Sequence, residues 1–329
     1  LKDGQQPKKL NIQVVTDQLE AESRLNNLPY GAREMALSPN GKEVAFIVRG
    51  DVFVTSVEYP TTKRITNTAS QERSVSFSPD GRTLVYAAER DGNWNIYTAS
   101  LTDSTDKSFT YAKDIKEEQI TKGKDACFEP AFSPDGKEIA YLENRTTLKV
   151  INLKSKKSRT VLDGKYNYSY SDGDQWYQWS PDGKWFTLEF IGNKHDPYSD
   201  IGLVSAQGNG EIVNLTNSGY TSGSPSFVLD GNAILFITER YGMRAHASWG
   251  SLDDAMLVFL NQDAYDKFSL SKEDYELYKE ANSDRKKIAD KDSSKVKDVV
   301  VELKNIEDRI VRLTPNSSVS YTHLRAHET

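Results

Sequence analysis

The sequence is short of the residues that most chemistry needs. It has one cysteine, Cys127, in 329 residues. No disulfide can form within the chain, and no cysteine-based metal site can be built. It has no run of about 18 apolar residues, so no segment reads as a membrane-spanning helix. It has no dominant charge. Forty-two Lys and Arg stand against 48 Asp and Glu, for a net charge of -6. The two signs are mixed along the chain, which excludes the basic face that nucleic-acid binding needs.

Catalytic motifs are missing as well. A nucleophile elbow needs Gly-x-Ser-x-Gly at a strand-to-helix turn. The nearest stretch, Gly219-Tyr220-Thr221-Ser222-Gly223, has the wrong spacing. No phosphate-binding loop, dinucleotide fingerprint or EF-hand pattern occurs. There are four histidines. His195-Asp196 followed by Asp200 makes a thin metal set, one His and two acids in what reads as an inter-strand turn. His246 reads as a turn or packing residue, and Ser248 has no base near it in sequence. The acid pairs Glu117-Glu118, Asp253-Asp254 and Glu273-Asp274 read as surface charges. Asn144-Arg145-Thr146 and Asn214-Leu215-Thr216 match the glycosylation pattern, which is short enough to recur by chance. No catalytic, cofactor-binding or metal-ligating residue is assigned, and no cofactor is expected.

What the chain does have is aromatics and a repeated turn. Seventeen Tyr, twelve Phe and five Trp favour strands. Phe77-Ser78-Pro79-Asp80-Gly81 returns as Leu37-Ser38-Pro39-Asn40-Gly41, Phe132-Ser133-Pro134-Asp135-Gly136 and Trp179-Ser180-Pro181-Asp182-Gly183. A worn copy stands at Phe227-Val228-Leu229-Asp230-Gly231. Pro presets φ at the first central turn position, Asp or Asn bonds back to its own backbone, and Gly takes positive φ. A strand resumes after each copy. The turn glycines Gly41, Gly81, Gly136, Gly183 and Gly231 lie 40, 55, 47 and 48 residues apart. That period suits four-stranded propeller blades. Four units end in a Leu/Ile-Thr pair, at Ile65-Thr66, Ile120-Thr121, Leu215-Thr216 and Leu313-Thr314.

The expectation is an all-β fold: a β-propeller of about five blades, the ring incomplete, over residues 1–317. The units fall around 37–70, 77–121, 132–165, 179–216 and 227–314. Within the last, residues 262–292 are charged and free of Gly and Pro. Ser271 reads as an N-cap there, with acids in the first turn, so a helical insertion is predicted. Lys295 to Leu303 is predicted to resume a strand. The aromatic stretch from Tyr166 to Trp179 is read as packing between blades. Leu1-Lys2-Asp3-Gly4 reads as the tail of an earlier unit. Residues 318–329 fit no repeat and read as the translation of a transposase-type sequencing adapter, which is excluded from the fold. Open propeller edges predict self-association into homo-oligomers.

The turn units and their Leu/Ile-Thr ends resemble the WD40-like propeller repeats of the TolB and tricorn protease families. A more specific block runs from Tyr241-Gly242-Met243-Arg244-Ala245-His246 to Asp266-Lys267-Phe268. With the insertion and Asn305 to Thr314, it is similar to the N-terminal propeller of tricorn-like S41 peptidases from Bacteroidetes. That resemblance implies a larger protein, with a PDZ module and a serine peptidase domain downstream. Its catalytic Ser and His match no position here, so none is carried over. The propeller would then gate or scaffold peptide or unfolded-protein substrates, in the periplasm or outside the cell. Two alternatives stay open: a TolB-like protein-binding propeller without peptidase, and the propeller of a prolyl-oligopeptidase-type enzyme.

Overall fold

A computed structural model describes residues 31–169, 175–192, 198–208, 211–243, 251–282 and 297–318. The chain divides into two units, Leu1–Gly31 and Ala32–Thr329, and every described strand and helix lies in the second. The N-terminal tail-like stretch and nearly all of the adapter-like end lie outside the described residues.

Five four-stranded antiparallel sheets follow one another along the chain. The first holds β1 (Ala32–Leu37), β2 (Glu43–Val48), β3 (Asp51–Ser56) and β4 (Thr62–Arg64). The second holds β5 (Gln71–Phe77), β6 (Thr83–Arg90), β7 (Asn93–Leu101) and β8 (Ile115–Gln119). The third holds β9 (Cys127–Phe132), β10 (Glu138–Glu143), β11 (Thr147–Asn152) and β12 (Ser158–Leu162). The fourth holds β13 (Tyr177–Trp179), β14 (Trp185–Phe190), β15 (Asp200–Ser205) and β16 (Ile212–Asn214). The fifth holds β17 (Ser222–Val228), β18 (Ala233–Thr238), β19 (Asp254–Phe259) and β20 (Ile310–Arg312). Each sheet pairs its strands in chain order, which is the wiring of a propeller blade. Among the described residues no strand of the first sheet pairs with one of the fifth, so the described strands do not close a ring.

Alternation along the second strands explains the packing. In β6, Leu84, Tyr86 and Ala88 share a core with Ala45, Ile47, Val52 and Val54 of the preceding sheet. Val85 and Ala87 point the other way and meet Ile139, Tyr141 and Ile151 of the following sheet. Period-2 side chains thus serve two different neighbours, and a strand buried on both faces reads as an unbroken apolar run. The third and fourth sheets share Leu142, Val150, Phe186 and Leu188. The fourth and fifth share Ile201, Leu203, Ile234 and Phe236.

The first four turns are built alike. At the second, Gly81 N–H donates to Ser78 O at 2.8 Å and has φ 70°. Ser78 Oγ donates to Asp80 Oδ1 at 2.5 Å and accepts from Thr83 N at 2.9 Å. Asp80 Oδ1 also accepts from Arg82 N at 3.0 Å. Ser38–Asn40, Ser133–Asp135 and Ser180–Asp182 repeat the set.

The fifth copy departs from this. Leu229, Asp230 and Gly231 have φ of 53°, 56° and 81°, a left-handed run. Without Pro nothing holds the first central residue near -65°, and without Ser the side-chain clasp is missing. The predicted strand from Lys295 to Leu303 is also absent from its described part. Residues 297–303 form no ladder; Val299 and Val301 pack into the fourth–fifth sheet core instead. Their alternation reads as a strand, but the edge beside β19 is occupied by β20. Of the predicted insertion over 262–292, two stretches are helical, α1 (Gln262–Phe268) and α2 (Lys272–Ala281), and 283–292 lie outside the described residues. Ser271 caps α2 by accepting from Asp274 N at 3.1 Å.

Candidate functional site

The first strands of the first three sheets run beside one another, and the first strand of the fifth lies against β14 and β13 of the fourth, so these strands line one edge of the sheets. Four of them carry a register shift against the second strand. At the shift sits a non-glycine residue with left-handed φ: Glu34 at 53°, Ser74 at 57°, Glu129 at 50° and Ser224 at 52°. All four lie five residues before the first central turn position. A bulge frees backbone groups from the ladder and re-aims them, at a cost of about 1–2 kcal/mol per strained residue.

Here the freed groups stitch sheet to sheet. The Glu34 carboxylate accepts from Ser74 N–H. Ser76 Oγ donates to Pro130 O at 3.3 Å. Tyr177 Oη reaches Glu129 O and lies 3.1 Å from Ala140 O, while Trp179 Nε1 donates to Ala131 O at 3.3 Å. Trp176 Nε1 donates to Pro225 O at 2.9 Å, and Ser224 N donates to Glu189 Oε1 at 2.6 Å. Tyr177 and Trp179 therefore pack between sheets as the sequence suggests, whereas Trp176 and Tyr168 of the same stretch stay about half exposed. The turn within that stretch, Asp172-Gly173-Asp174, lies outside the described residues. Sequence reading missed the bulges. Their trace is a polar residue at a fixed offset before the turn, followed by Pro130 and Pro225 in two copies.

The Thr of each Leu/Ile-Thr pair closes its blade. Thr121 Oγ1 accepts from Ile96 N at 2.8 Å and contacts Asn95 Oδ1 at 3.1 Å. Thr216 Oγ1 accepts from Ile201 N at 3.1 Å and donates to Asp200 Oδ1 at 2.7 Å. Thr314 Oγ1 donates to the buried Asp254 at 2.6 Å.

Those contacts decide several sequence candidates. Asp200 is buried, and Asn214, Thr216 and the Ser218 N–H already occupy its carboxylate. It serves a strand end, not a metal. His195, Asp196, His246 and Ser248 lie outside the described residues, as do the two remaining histidines. Among the described residues no group of three or more His, Cys, Asp or Glu could hold a metal ion. The surface reading fails for Asp254, which is buried and tied to Arg312, Thr314 and Ser317. Burial raises its carboxyl, but those three partners outweigh it and hold the group below the ordinary range. Glu117 is no free surface acid either. Both its oxygens take Arg90 at 2.6 Å, and Tyr86 donates to it. Arg90 lies 4.2 Å over the Tyr97 ring and 3.4 Å from the buried Glu72. Burial pushes Glu72 above the ordinary carboxyl range. Glu118 pairs with Lys156 at 2.7 Å on the surface. Cys127 is a buried free thiol pushed up to about 11 by burial. Asn214 Nδ2 donates to Asp200 at 2.8 Å and Asn144 Nδ2 to Asp125 at 3.1 Å, so both glycosylation-pattern amides are engaged.

No known family profile matches the sequence. A tricorn protease homolog of Saccharolobus solfataricus is 23% identical over 234 residues, 71% of this chain and 19% of that protein. A tricorn-like protease C-terminal subunit of Sulfurisphaera tokodaii is 24% identical over 320 residues, 94% of this chain and 32% of its own length. A TolB homolog of Chlorobium luteolum is 28% identical over 49% of this chain and 33% of its own. Among solved structures, the tricorn protease superposes with a TM-score of 0.59 at 12% identity, over 88% of this chain and 25% of that one. A TolB structure from Agrobacterium tumefaciens gives 0.50 at 18% identity, over 71% of this chain and 78% of that one.

The fold is that of the tricorn and TolB propellers. The chain spans a third or less of the tricorn-type and Chlorobium relatives it matches. No described helix is long and apolar enough to cross a membrane.

Proposed function

We propose that this chain is the non-catalytic, substrate-gating or scaffolding propeller of a tricorn-like serine peptidase of the S41 type. The observation that carries the reading is coverage. Similarity to a tricorn-like protein runs over 94% of the chain, whereas the TolB match from Francisella tularensis reaches 58%. Peptides or unfolded proteins are the substrates in this reading, and a PDZ module and peptidase domain of the same protein are the partners. Cleavage belongs to that other domain. Export to the periplasm or beyond goes with the same resemblance, and fractionation of cells making the full protein checks it.

Fluorogenic peptides incubated with the 329-residue chain should show no turnover. Turnover that is lost in Ser248→Ala or His246→Ala would overturn the proposal, because the chemistry would then lie within this chain. Sequencing the complete gene gives the second check. A PDZ module and S41 domain downstream support it, while a Gly-x-Ser-x-Gly hydrolase domain there would replace it with the prolyl-oligopeptidase reading. A TolB-like binding propeller is the second reading, favoured by the 0.50 superposition that takes in 78% of the Agrobacterium chain.

A further inference from the structure

Two departures from the repeat meet in the fifth sheet. One is the turn at Leu229–Asn232, which lacks the Ser-Pro-Asp clasp of the other four. The other is the insertion α1–α2, found in no other sheet among the described residues. They face each other across one groove of about 490 Å³, lined by Leu229, Phe268, Leu270, Tyr275, Lys267 and Lys272, among others.

The groove walls are unusual for solvent. Leu229 holds a left-handed φ of 53° and is still 52% exposed as a residue. A γ-branched apolar residue there is strained and gains little burial in return. Phe268 is 45% exposed, although its ring rests on Phe259 at 5.0 Å and so fixes α1 to the sheet. Helix α2 buries no residue at all. A helix polar on every side would need no explanation, but this one carries Tyr275, Leu277 and Tyr278, all exposed.

Charge on α2 is sorted by face. Lys272, Tyr275 and Lys279 recur at i, i+3 and i+7, one helical face. Glu273, Glu276 and Glu280 recur with the same spacing on the adjacent strip, where Glu276 takes Lys279 at 2.7 Å and leaves Lys272 unpaired among the described residues. Lys272 and Tyr275 line the groove, so the basic, aromatic face is the one turned to it. Tyr275 and Tyr278 stack at 6.4 Å, with Lys279 over the first ring at 5.0 Å and Lys267 of α1 over the second at 5.6 Å. Among the described residues neither Lys267 nor Lys272 has a carboxylate partner. Asp230 is the one acid in the lining.

We propose that this groove docks a short acidic segment of a protein partner, anchored by one or two large apolar side chains. Leu229, Phe268 and Tyr275 receive the anchors, and Lys267 and Lys272 pair with the acids beside them. An anionic membrane fits less well, because a broad surface would also meet Glu273, Asp274, Glu276 and Glu280, whereas a short segment confined to the groove meets Lys267 and Lys272 with Asp230 as the acid of the lining. The site owes nothing to the peptidase reading and stands or falls separately from it.

The test is fluorescence anisotropy with the whole chain and labelled hexapeptides. Asp-Glu-Phe-Asp-Leu-Glu is expected to bind. Its basic counterpart Lys-Arg-Phe-Lys-Leu-Arg, and Asp-Glu-Ala-Asp-Ala-Glu, are expected to bind at least about tenfold more weakly. Lys267→Glu combined with Lys272→Glu should weaken the acidic peptide by at least about tenfold, and added salt should do the same. Leu229→Gly should weaken it too while leaving the unfolding temperature unchanged or higher, since Gly accepts that φ. This second variant separates a lost anchor from a lost fold. Failure of the acidic peptide to bind, equal binding of the basic one, or unchanged binding by both variants overturns the proposal. So does sedimentation with phosphatidylglycerol vesicles in the absence of peptide binding, which would make the surface a lipid contact.

Discussion

Pro39 Cδ lies 3.5 Å from the point where a Cβ on Gly81 would sit. Pro79, Pro134 and Pro181 stand to Gly136, Gly183 and Gly231 at 3.6, 3.5 and 3.4 Å in the same way. The proline of each turn therefore packs on the glycine of the next, and the turns form a continuous row across all five sheets. In the first four turns the demand for glycine is the positive φ, since a Cβ would meet the proline only at an ordinary contact distance.

Backbone strain and crowding can be separated by mutation at two glycines of positive φ. At Gly136 the contact distance for a Cβ is an ordinary one, so Gly136→Ala adds only backbone strain, about 1–2 kcal/mol. Gly208 differs, because a Cβ there would lie 2.4 Å from the Thr160 carbonyl oxygen, between the third and fourth sheets. Gly208→Ala should cost clearly more than Gly136→Ala. Urea unfolding of both variants measures the order, and equal losses would mean that the close approach to Thr160 adds nothing to the strain of the positive φ.

The clasp carries an internal control. Asn40 makes with Ser38 and Lys42 N the bonds that Asp80 makes with Ser78 and Arg82 N. Only an acceptor oxygen is needed, so Asp80→Asn should retain nearly full stability. Asp80→Ala should lose about 1–2 kcal/mol, as for a lost local side-chain-to-backbone bond. Denaturation midpoints for the two decide it; an Asn variant as weak as the Ala variant would mean that the charge itself matters.

These turns are also where the sequence was most readable. Pro, Asp and Gly act locally, so four copies announce the hairpin and their spacing announces the blade. The fifth copy kept its Gly but lost Pro and Ser, and its left-handed run could not be read without knowing what replaced them. The bulges at Glu34, Ser74, Glu129 and Ser224 were hidden for another reason. They depend on groups in the neighbouring sheet, such as Tyr177 and Glu189, that lie 35 to 48 residues away in sequence. Val299 and Val301 show the limit of periodicity, because alternation reports two faces and not whether a ladder partner is free.

The buried threonines make a sharper demand. Replacing Thr121 by Val keeps the shape but leaves Ile96 N–H without its acceptor. A loss of about 1–3 kcal/mol is expected, and Thr121→Ser should recover most of it. Thermal unfolding of the pair is the measurement. Equal stability of Val and wild type would place the closing force of the blade in apolar packing alone.

Acid titration tests two carboxylates of opposite sign. Burial raises the Asp254 carboxyl, but Thr314, Ser317 and Arg312 together hold it below its ordinary value of 3.8. Its stabilising contribution is therefore complete above the ordinary range and disappears as pH falls through the lower folded value. Glu72 is raised above 4.5 because burial outweighs Thr66, Thr68 and Arg90. In the folded state it keeps its proton longer than in the unfolded chain, so ionising it lowers stability as pH rises from the ordinary range toward the folded value. Asp254→Asn should thus cost most near neutrality and progressively less below about pH 4. Glu72→Gln should improve relative to wild type as pH climbs above about 4.5. Unfolding free energies of the three proteins between pH 3 and 7 give the two slopes. Slopes of the same sign would mean that one of these carboxylates does not experience the burial and pairing described for it.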